Sequence, residues 1–214
     1  MKPALVIFDC DGVIVDSEGQ TCIAIANSLT RYGMTITADQ IHDQFLGGTL
    51  FDIRDRARAD GFDLPDDWVR EVYAEMFDLL DQGVALSSGV VDLFDALEAQ
   101  GTKIAIASNG AMDKMRHTLG PHGLFDRFDG WIWSGHTSKS PKPEPGMLIS
   151  AMQKAGATPE TTVMIDDSPA GAGAAEAAGT RFYGYSEHTP AEKLAQTGAE
   201  IVRSMAELKT RLIA

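Results

Sequence analysis

Short runs of apolar, largely β-branched residues recur along the chain, and each ends in polar, loop-forming residues. Ala4-Leu5-Val6-Ile7-Phe8 runs into Asp9-Cys10-Asp11-Gly12, Lys103–Ala107 into Ser108-Asn109-Gly110, and Thr162–Ile165 into Asp166-Asp167-Ser168. Gly130–Trp133, before Ser134-Gly135, is a shorter instance, and Arg181–Gly184 a weaker one. A run apolar on both faces predicts a strand buried in a parallel sheet. Helical patterns alternate with these runs. They cover Val90–Leu97 closed by Gly101, Met112–Leu119, Glu144–Ala155 entered through Pro143 and Pro145, Ala170–Ala178 closed by Gly179, and Met205–Ile213 behind Ser204 as N-cap. Strand and helix in alternation predict βαβ units, hence an α/β fold with a doubly wound, Rossmann-like parallel sheet.

One segment interrupts the alternation. From about Ser17 to Gly83 every pattern is helical: Thr21–Tyr32, a helix opened by Thr37-Ala38-Asp39-Gln40 with a capping arrangement, Thr49–Ala59, and an amphipathic helix from Trp68 to Leu80. Phe45-Leu46-Gly47-Gly48 is expected to be a flexible break between the second and third. The expected organisation is therefore a catalytic core of 1–16 and 84–214 with an all-helical cap domain, 17–83, inserted after the first strand.

Composition narrows the function classes. The 214 residues exceed one domain of about 150, in keeping with a core plus an insert. A net charge of −13 without a basic stripe argues against nucleic acid and anionic lipid as partners. Cys10 and Cys22 form no metal-ligand spacing and are expected to be reduced thiols. The apolar run at the N-terminus is too short for a signal peptide, and no run has a membrane span's length, so a cytoplasmic, non-membrane protein is expected, with a monomer as the default state.

The candidate chemistry lies where the strands end, because parallel sheets bind ligands beyond their carboxyl edges. These ends carry Asp9 and Asp11, Ser108 and Asn109, and Asp166 and Asp167, while the loop Ser140-Pro141-Lys142-Pro143-Glu144-Pro145 adds a lysine held between prolines. Four carboxylates at one mouth repel one another, and a hard divalent cation with oxygen ligands, Mg²⁺, resolves that repulsion. The lysine and hydroxyl then suit an anionic substrate, and the whole set suits phosphoryl chemistry. If strand geometry persists to Asp11, both acids of Asp9-x-Asp11 face one reacting group, one as nucleophile and the other as acid and base.

With these residues in this order, the chain resembles the haloacid dehalogenase superfamily of phosphatases over nearly its whole length. Asp9-Cys10-Asp11-Gly12-Val13 matches the first family motif, Ser108 the second, Lys142 in Lys-Pro-Glu-Pro the third, and Asp166–Gly171 with Ala177–Gly179 the fourth. The helical insert matches the family's cap in type and position. The resemblance implies that Asp9 attacks phosphorus to form an aspartyl phosphate, and that Asp11 protonates the leaving oxygen and then activates water. It implies Mg²⁺ held by the Asp9 carboxylate, the Asp11 main-chain carbonyl and Asp167, with Asp166 acting through water. Ser108 and the Asn109 N–H would bind phosphoryl oxygens, Lys142 would offset the charge between Asp9 and phosphate, and the helix starting near Ala111 would add its positive end.

The expected activity is Mg²⁺-dependent hydrolysis of small phosphorylated metabolites, sugar phosphates foremost. The stretch from Ser108 to Gly120 resembles bacterial sugar-phosphate phosphatases, including those acting on 6-phosphogluconate. A β-phosphoglucomutase-like mutase is the alternative, and Thr21 and Leu50 count against it, since they stand where that group carries His and Arg. A receiver-like phospho-aspartate module is the non-enzyme alternative; the helical insert counts against it. Asp11 counts against dehalogenation, and Gly146, where an acid is common, is expected to loosen the support of Lys142. Of Trp131 and Trp133, one is expected in the core and one at the surface. His136 is expected in a solvated loop, His42, His117, His122 and His188 form no ligand pair, and of Arg54, Arg56 and Arg58 two are expected to be solvated.

Overall fold

A computed structural model describes residues 2–45, 50–187, 189–195 and 197–213. The expected break at Leu46–Gly48 and His188 lie outside the described residues. The chain divides into two compact units, Met1–Asp16 with Ala85–Ala214, and Ser17–Val84.

The first unit is built on a parallel sheet of six strands in the order β5-β4-β1-β6-β7-β8. They are β1 (Leu5–Phe8), β4 (Lys103–Ser108), β5 (Ile132–Ser134), β6 (Thr162–Asp166), β7 (Arg181–Tyr185) and β8 (Glu200–Val202). The central strand β1 is flanked by β4 and β6, with Phe8 opposite Ile106 on one side and Ile165 on the other. This register brings the carboxyl ends of the three most apolar strands level with one another. From β1 the later strands add first on one side and then on the other, which opens a crevice at the β1 end.

The strands are apolar on both faces because both are covered. Leu5 and Ile7 face α8 (Gly146–Ala155) and α9 (Pro169–Ala178) through Met147, Leu148, Ala151, Ala174 and Ala175. Phe8, one position out of phase, meets Phe94 of α5 (Val90–Ala99) edge-on at 5.1 Å, and Phe94 meets Phe128 at the same spacing. Two short strands, β2 (Val15–Asp16) and β3 (Ala85–Leu86), pair antiparallel where the chain leaves and re-enters this unit. α6 (Met112–Leu119), α7 (Leu124–Arg127), α10 (Ala191–Ala195) and α11 (Met205–Leu212) complete it. Ser204 caps α11 by accepting from the Glu207 N–H, as its sequence position predicts.

The second unit contains α1 (Glu18–Arg31), α2 (Ala38–Phe45), α3 (Leu50–Ala59) and α4 (Trp68–Asp81). Thr37 and Gln40 exchange side-chain-to-backbone hydrogen bonds of 2.9 and 3.2 Å, the reciprocal cap predicted from sequence. Its apolar cluster joins Ile25 and Leu29 of α1, Ile53 of α3, and Trp68 and Val72 of α4. Among the described residues no helix is long and apolar enough to cross a membrane.

The two tryptophans correct an expectation. Trp131 and Trp133 are both half-buried, their rings meet at 6.2 Å, and Lys154 lies over both. Residues two apart along a strand share a face, so division between core and surface was the wrong inference.

Candidate active site

The site grows from the carboxyl edge of the sheet. Asp9 follows directly on β1, and its N–H donates to the Ile165 carbonyl at 2.9 Å, which extends the sheet pairing by one residue. Beside it, β6 ends in Asp166 and β4 in Ser108. All three side chains are buried.

Lys142 joins two of these ends. Its Nζ lies 2.8 Å from Asp9 Oδ1 and 2.6 Å from Asp166 Oδ2, with only 3% of the side chain exposed. The Asn109 side chain fixes the lysine's backbone, donating to the Lys142 carbonyl at 2.8 Å and accepting from its N–H at 2.9 Å. Asn109 thus acts on the loop through its carboxamide. The expected weakness at Gly146 does not arise. Asp166 and Asn109 supply the support, and a Cβ at Gly146 would overlap the Ser140 side chain, whose Oγ accepts from the Gly146 N–H at 3.1 Å.

Asp166 has its hydrogen bonds filled. One oxygen accepts from Lys142, and the other accepts from the N–H and hydroxyl of Ser168 at 2.9 and 2.6 Å. Ser168 in turn caps α9 by accepting from the Gly171 N–H at 3.1 Å, and a Cβ at Gly171 would collide with the Asp166 carboxylate. Asp167 accepts from the Thr189 hydroxyl at 2.8 Å and lies where a Cβ at Gly12 would overlap its Oδ2. Gly12 also needs the positive φ of 75° that turns the chain after Asp11.

Asp11 departs from the strand. β1 ends at Phe8 and its pairing at Asp9, and Asp11 enters a turn in which the Gly12 N–H donates to the Val15 carbonyl. The condition for Asp9 and Asp11 to face one way through strand geometry is therefore not met. Asp9 pairs with Lys142, whereas Asp11 Oδ1 lies 2.9 Å from Lys114 Nζ. Ser108 Oγ accepts from the Gly110 N–H at 3.0 Å. The space in front of Gly110 is shared: a Cβ there would sit 3.2 Å from Ser108 Oγ and 3.4 Å from Asp11 Oδ2.

Electrostatics follow from this burial. Burial pushes the Asp9 carboxyl from 3.8 up to about 7; Lys142 opposes the shift, and Asp166 and Asp11 add to it. Burial also pushes Asp167 up to about 8, with Asp166 and Asp9 adding to the rise. Burial acts to lower Lys142, but the carboxylates of Asp166 and Asp9 outweigh it and hold the ammonium charged. The Asp11 carboxylate does the same for Lys114.

Asp9, Asp166 and Asp167 each offer a carboxylate oxygen within 4.8 Å of the others. Asp9 Oδ1 has the Lys142 ammonium as its charged partner at 2.8 Å. Three buried or largely buried carboxylates converging with oxygen donors alone fit a hard divalent cation.

Sequence reasoning placed Asp9, Asp11, Ser108, Asn109, Lys142, Asp166 and Asp167, and the structure gathers all seven at one edge. Lys114 and Thr189 carry no sequence-derived role. Ser168 carried a signal, since Ser-Pro opening a helix marks an N-cap. Cys10 and Cys22 are both buried free thiols. Arg54, Arg56 and Arg58 each bond within the helical unit, to Asp55, to Asp60, and to Asp66 with the Leu64 carbonyl. Thr21, where a mutase-like His would stand, donates to the Ser17 carbonyl at 2.9 Å.

Comparison with known proteins fixes the class. Residues 6–185 match the family of haloacid dehalogenase-like hydrolases. A 6-phosphogluconate phosphatase of Escherichia coli is 30% identical over 169 residues, covering 78% of this chain and 75% of the relative. A phosphoglycolate phosphatase of Pseudomonas putida is 31% identical over 207 residues, covering 88% and 72%. A haloacid dehalogenase family hydrolase from Deinococcus radiodurans, solved with bound phosphate and sodium, superposes with a TM-score of 0.82 at 28% identity, covering 98% of this chain and 94% of that one. The chain belongs to the haloacid dehalogenase-like hydrolase family and is an enzyme of the hydrolase class.

Proposed function

We propose that this enzyme hydrolyses phosphate monoesters of small metabolites, sugar phosphates foremost, through an aspartyl phosphate on Asp9. The observation that carries the reading is Asp9 itself. It is a buried carboxylate at the end of the central strand, paired with a buried lysine and within 4.8 Å of the Asp166 and Asp167 carboxylates.

In the first step an Asp9 carboxylate oxygen bonds to phosphorus as the ester P–O bond breaks, and Asp11, protonated once the negative charge of the substrate phosphate lies beside it, gives that proton to the leaving alkoxide. In the second, Asp11 takes a proton from the water that attacks phosphorus, and Asp9 and inorganic phosphate are released. Lys142 balances the charge that collects between Asp9 and the phosphoryl group, a task for which its unexposed ammonium is already placed. Ser108 and the Asn109 N–H receive phosphoryl oxygens at the end of β4. The first turn of α6 adds the positive end of a helix.

Asp9 and Asp167, with the Asp11 main-chain carbonyl, would hold Mg²⁺, and Asp166 would support them. When bound, the ion supplies positive charge that keeps Asp9 ionised and polarises the phosphoryl oxygens. That role suits two carboxyls that burial and the neighbouring carboxylates raise to about 7 and about 8. The helical unit is assigned the role of a substrate-selecting cap on its place in the chain and its composition. Two free thiols suit a cytoplasmic protein.

The names of the two curated relatives, a 6-phosphogluconate phosphatase and a phosphoglycolate phosphatase, support a small phosphorylated metabolite as substrate. The test is a screen of phosphorylated metabolites with Mg²⁺ in which phosphate release is measured for the natural chain and for Asp9→Asn. The amide cannot attack phosphorus, so kcat is expected to fall by more than about a hundredfold, or about 2.7 kcal/mol in the barrier. A variant that keeps more activity than that removes Asp9 from the nucleophile role.

A further inference from the structure

Lys142 is not the only lysine built into this site. Lys114, in the first turn of α6, is held 2.9 Å from Asp11 with 15% of its side chain exposed, against 29% for Asp11. Its stem runs past Gly110, with Cδ 3.9 Å from the point a Cβ there would occupy. That same point lies near Ser108 Oγ and Asp11 Oδ2. Lysine stem, acid and hydroxyl therefore border one small space, kept open by the missing Gly110 side chain.

We infer that Lys114 is a positioning residue for the reaction, holding the Asp11 carboxyl by Oδ1 so that Oδ2, the oxygen that carries the transferred proton, is presented on the Ser108 side. The inference rests on the phosphatase reading above. Asp11 needs such a holder because it lies beyond the sheet pairing that fixes Asp9, in a turn, on a side chain with two rotatable bonds. Proton transfer demands a heavy-atom approach of about 2.6–3.2 Å, so an acid free to rotate loses rate before it loses affinity. The holder is itself rigid. α6 is anchored by the buried side chains of Met115, next to Lys114, and of Thr118 and Leu119 about one turn on.

A positioning lysine and a merely stabilising ion pair make different kinetic predictions. Holding the acid matters when the leaving group is a poor one, such as the alkoxide of a sugar phosphate. It matters little in the phosphorylating step on an aryl phosphate, whose phenolate leaves without a proton. Lys114→Met keeps the stem and removes the charge, Lys114→Arg keeps a charge, and Lys114→Gln runs in parallel in case the Met variant fails to fold.

The full chain with Mg²⁺ is assayed by steady-state kinetics on a sugar phosphate that it turns over, and by rapid mixing with 4-nitrophenyl phosphate. For Lys114→Met, kcat on the sugar phosphate should fall about thirtyfold or more with KM within about threefold. The first-turnover release of nitrophenol should keep its natural rate, and Lys114→Arg should recover most of the loss. Equal losses on both substrates, a change confined to KM, or no loss at all would each overturn the inference while leaving the phosphatase reading in place. A natural chain that releases phosphate from no monoester overturns both together.

Discussion

The two compact units keep their charges in opposite ways. The α/β unit buries Asp9, Lys142 and Asp166 against one another, whereas the helical unit has no buried charged residue among the described ones. Ion pairs such as Arg31–Glu75, Arg56–Asp60 and Arg70–Asp67 lie at its surface, and its interior is an apolar cluster around Ile25, Leu29, Trp68 and Val72. Removing an ion from water costs several kcal/mol even after relaxation, so a fold selected for stability alone has no reason to sequester three. Buried charge therefore distinguishes the unit that carries the candidate active site from the helical unit.

The largest effect should come from breaking the buried cluster. Lys142→Met leaves Asp9 and Asp166 without their cation, and such a loss costs about 3–5 kcal/mol. Urea unfolding should show the midpoint falling with little change in slope, and phosphate release should be lost with it. A cost below about 1 kcal/mol would place the cluster with ordinary surface pairs and remove the contrast between the units. Asp166→Asn in the Lys142→Met background should recover part of the stability, since it removes one of the two stranded charges.

A smaller effect should appear as a pH dependence peculiar to the α/β unit. Asp9 and Asp167 have carboxyls raised from 3.8 to about 7 and about 8, so the folded state holds protons that the unfolded state has released. Their contribution to stability is complete below the unfolded value and disappears as pH climbs through the folded ones, each acid costing up to about 1.4 kcal/mol per pH unit in that window. The metal-free protein should therefore melt at a lower temperature as pH rises from about 5 to about 8.5. Mg²⁺ should flatten that slope, because a cation at the cluster takes over the role of the bound protons. A melting temperature that is level or rises over the same range without metal would show that burial does not dominate these acids.

How much of this was legible depended on whether a residue's partner lay nearby in the chain. The strand ends could be located because a both-faces-apolar run stopping at Asp9, Ser108 or Asp166 is a local pattern, and the parallel register then aligns them. The caps at Thr37 and Ser204 were legible for the same reason. Strand β8 and helices α7 and α10, of three to five residues, are too short for a period to show. Lys114 and Thr189 escaped because their meaning is tertiary. Nothing next to Thr189 indicates that its hydroxyl reaches an acid 22 residues earlier, and only the turn at Gly12 brings Asp11 to Lys114. Trp131 and Trp133 failed differently, through a misapplied strand period.

The smallest effect sharpens the comparison most, because it tests a pair of nearly the same length in the other unit. Arg56 Nε lies 2.9 Å from Asp60 Oδ2 across one turn at the end of α3, but the two side chains are 68% and 43% exposed. Water and salt screen such a pair, and holding two mobile side chains in one geometry offsets most of its attraction, leaving about 0.3–0.5 kcal/mol. Arg56→Ala should therefore lower the melting temperature by no more than about 2 °C, by the usual conversion for a chain of this size. The difference should vanish in about 1 M salt, where charges are screened within about 3 Å. The 2.8 Å separation between Lys142 and Asp9 differs from this one by a tenth of an ångström, so a tenfold difference in cost would have to come from burial. A loss above about 1.5 kcal/mol at Arg56, persisting in high salt, would mean that the helical unit also depends on its charges, and that burial is the wrong criterion for telling the two units apart.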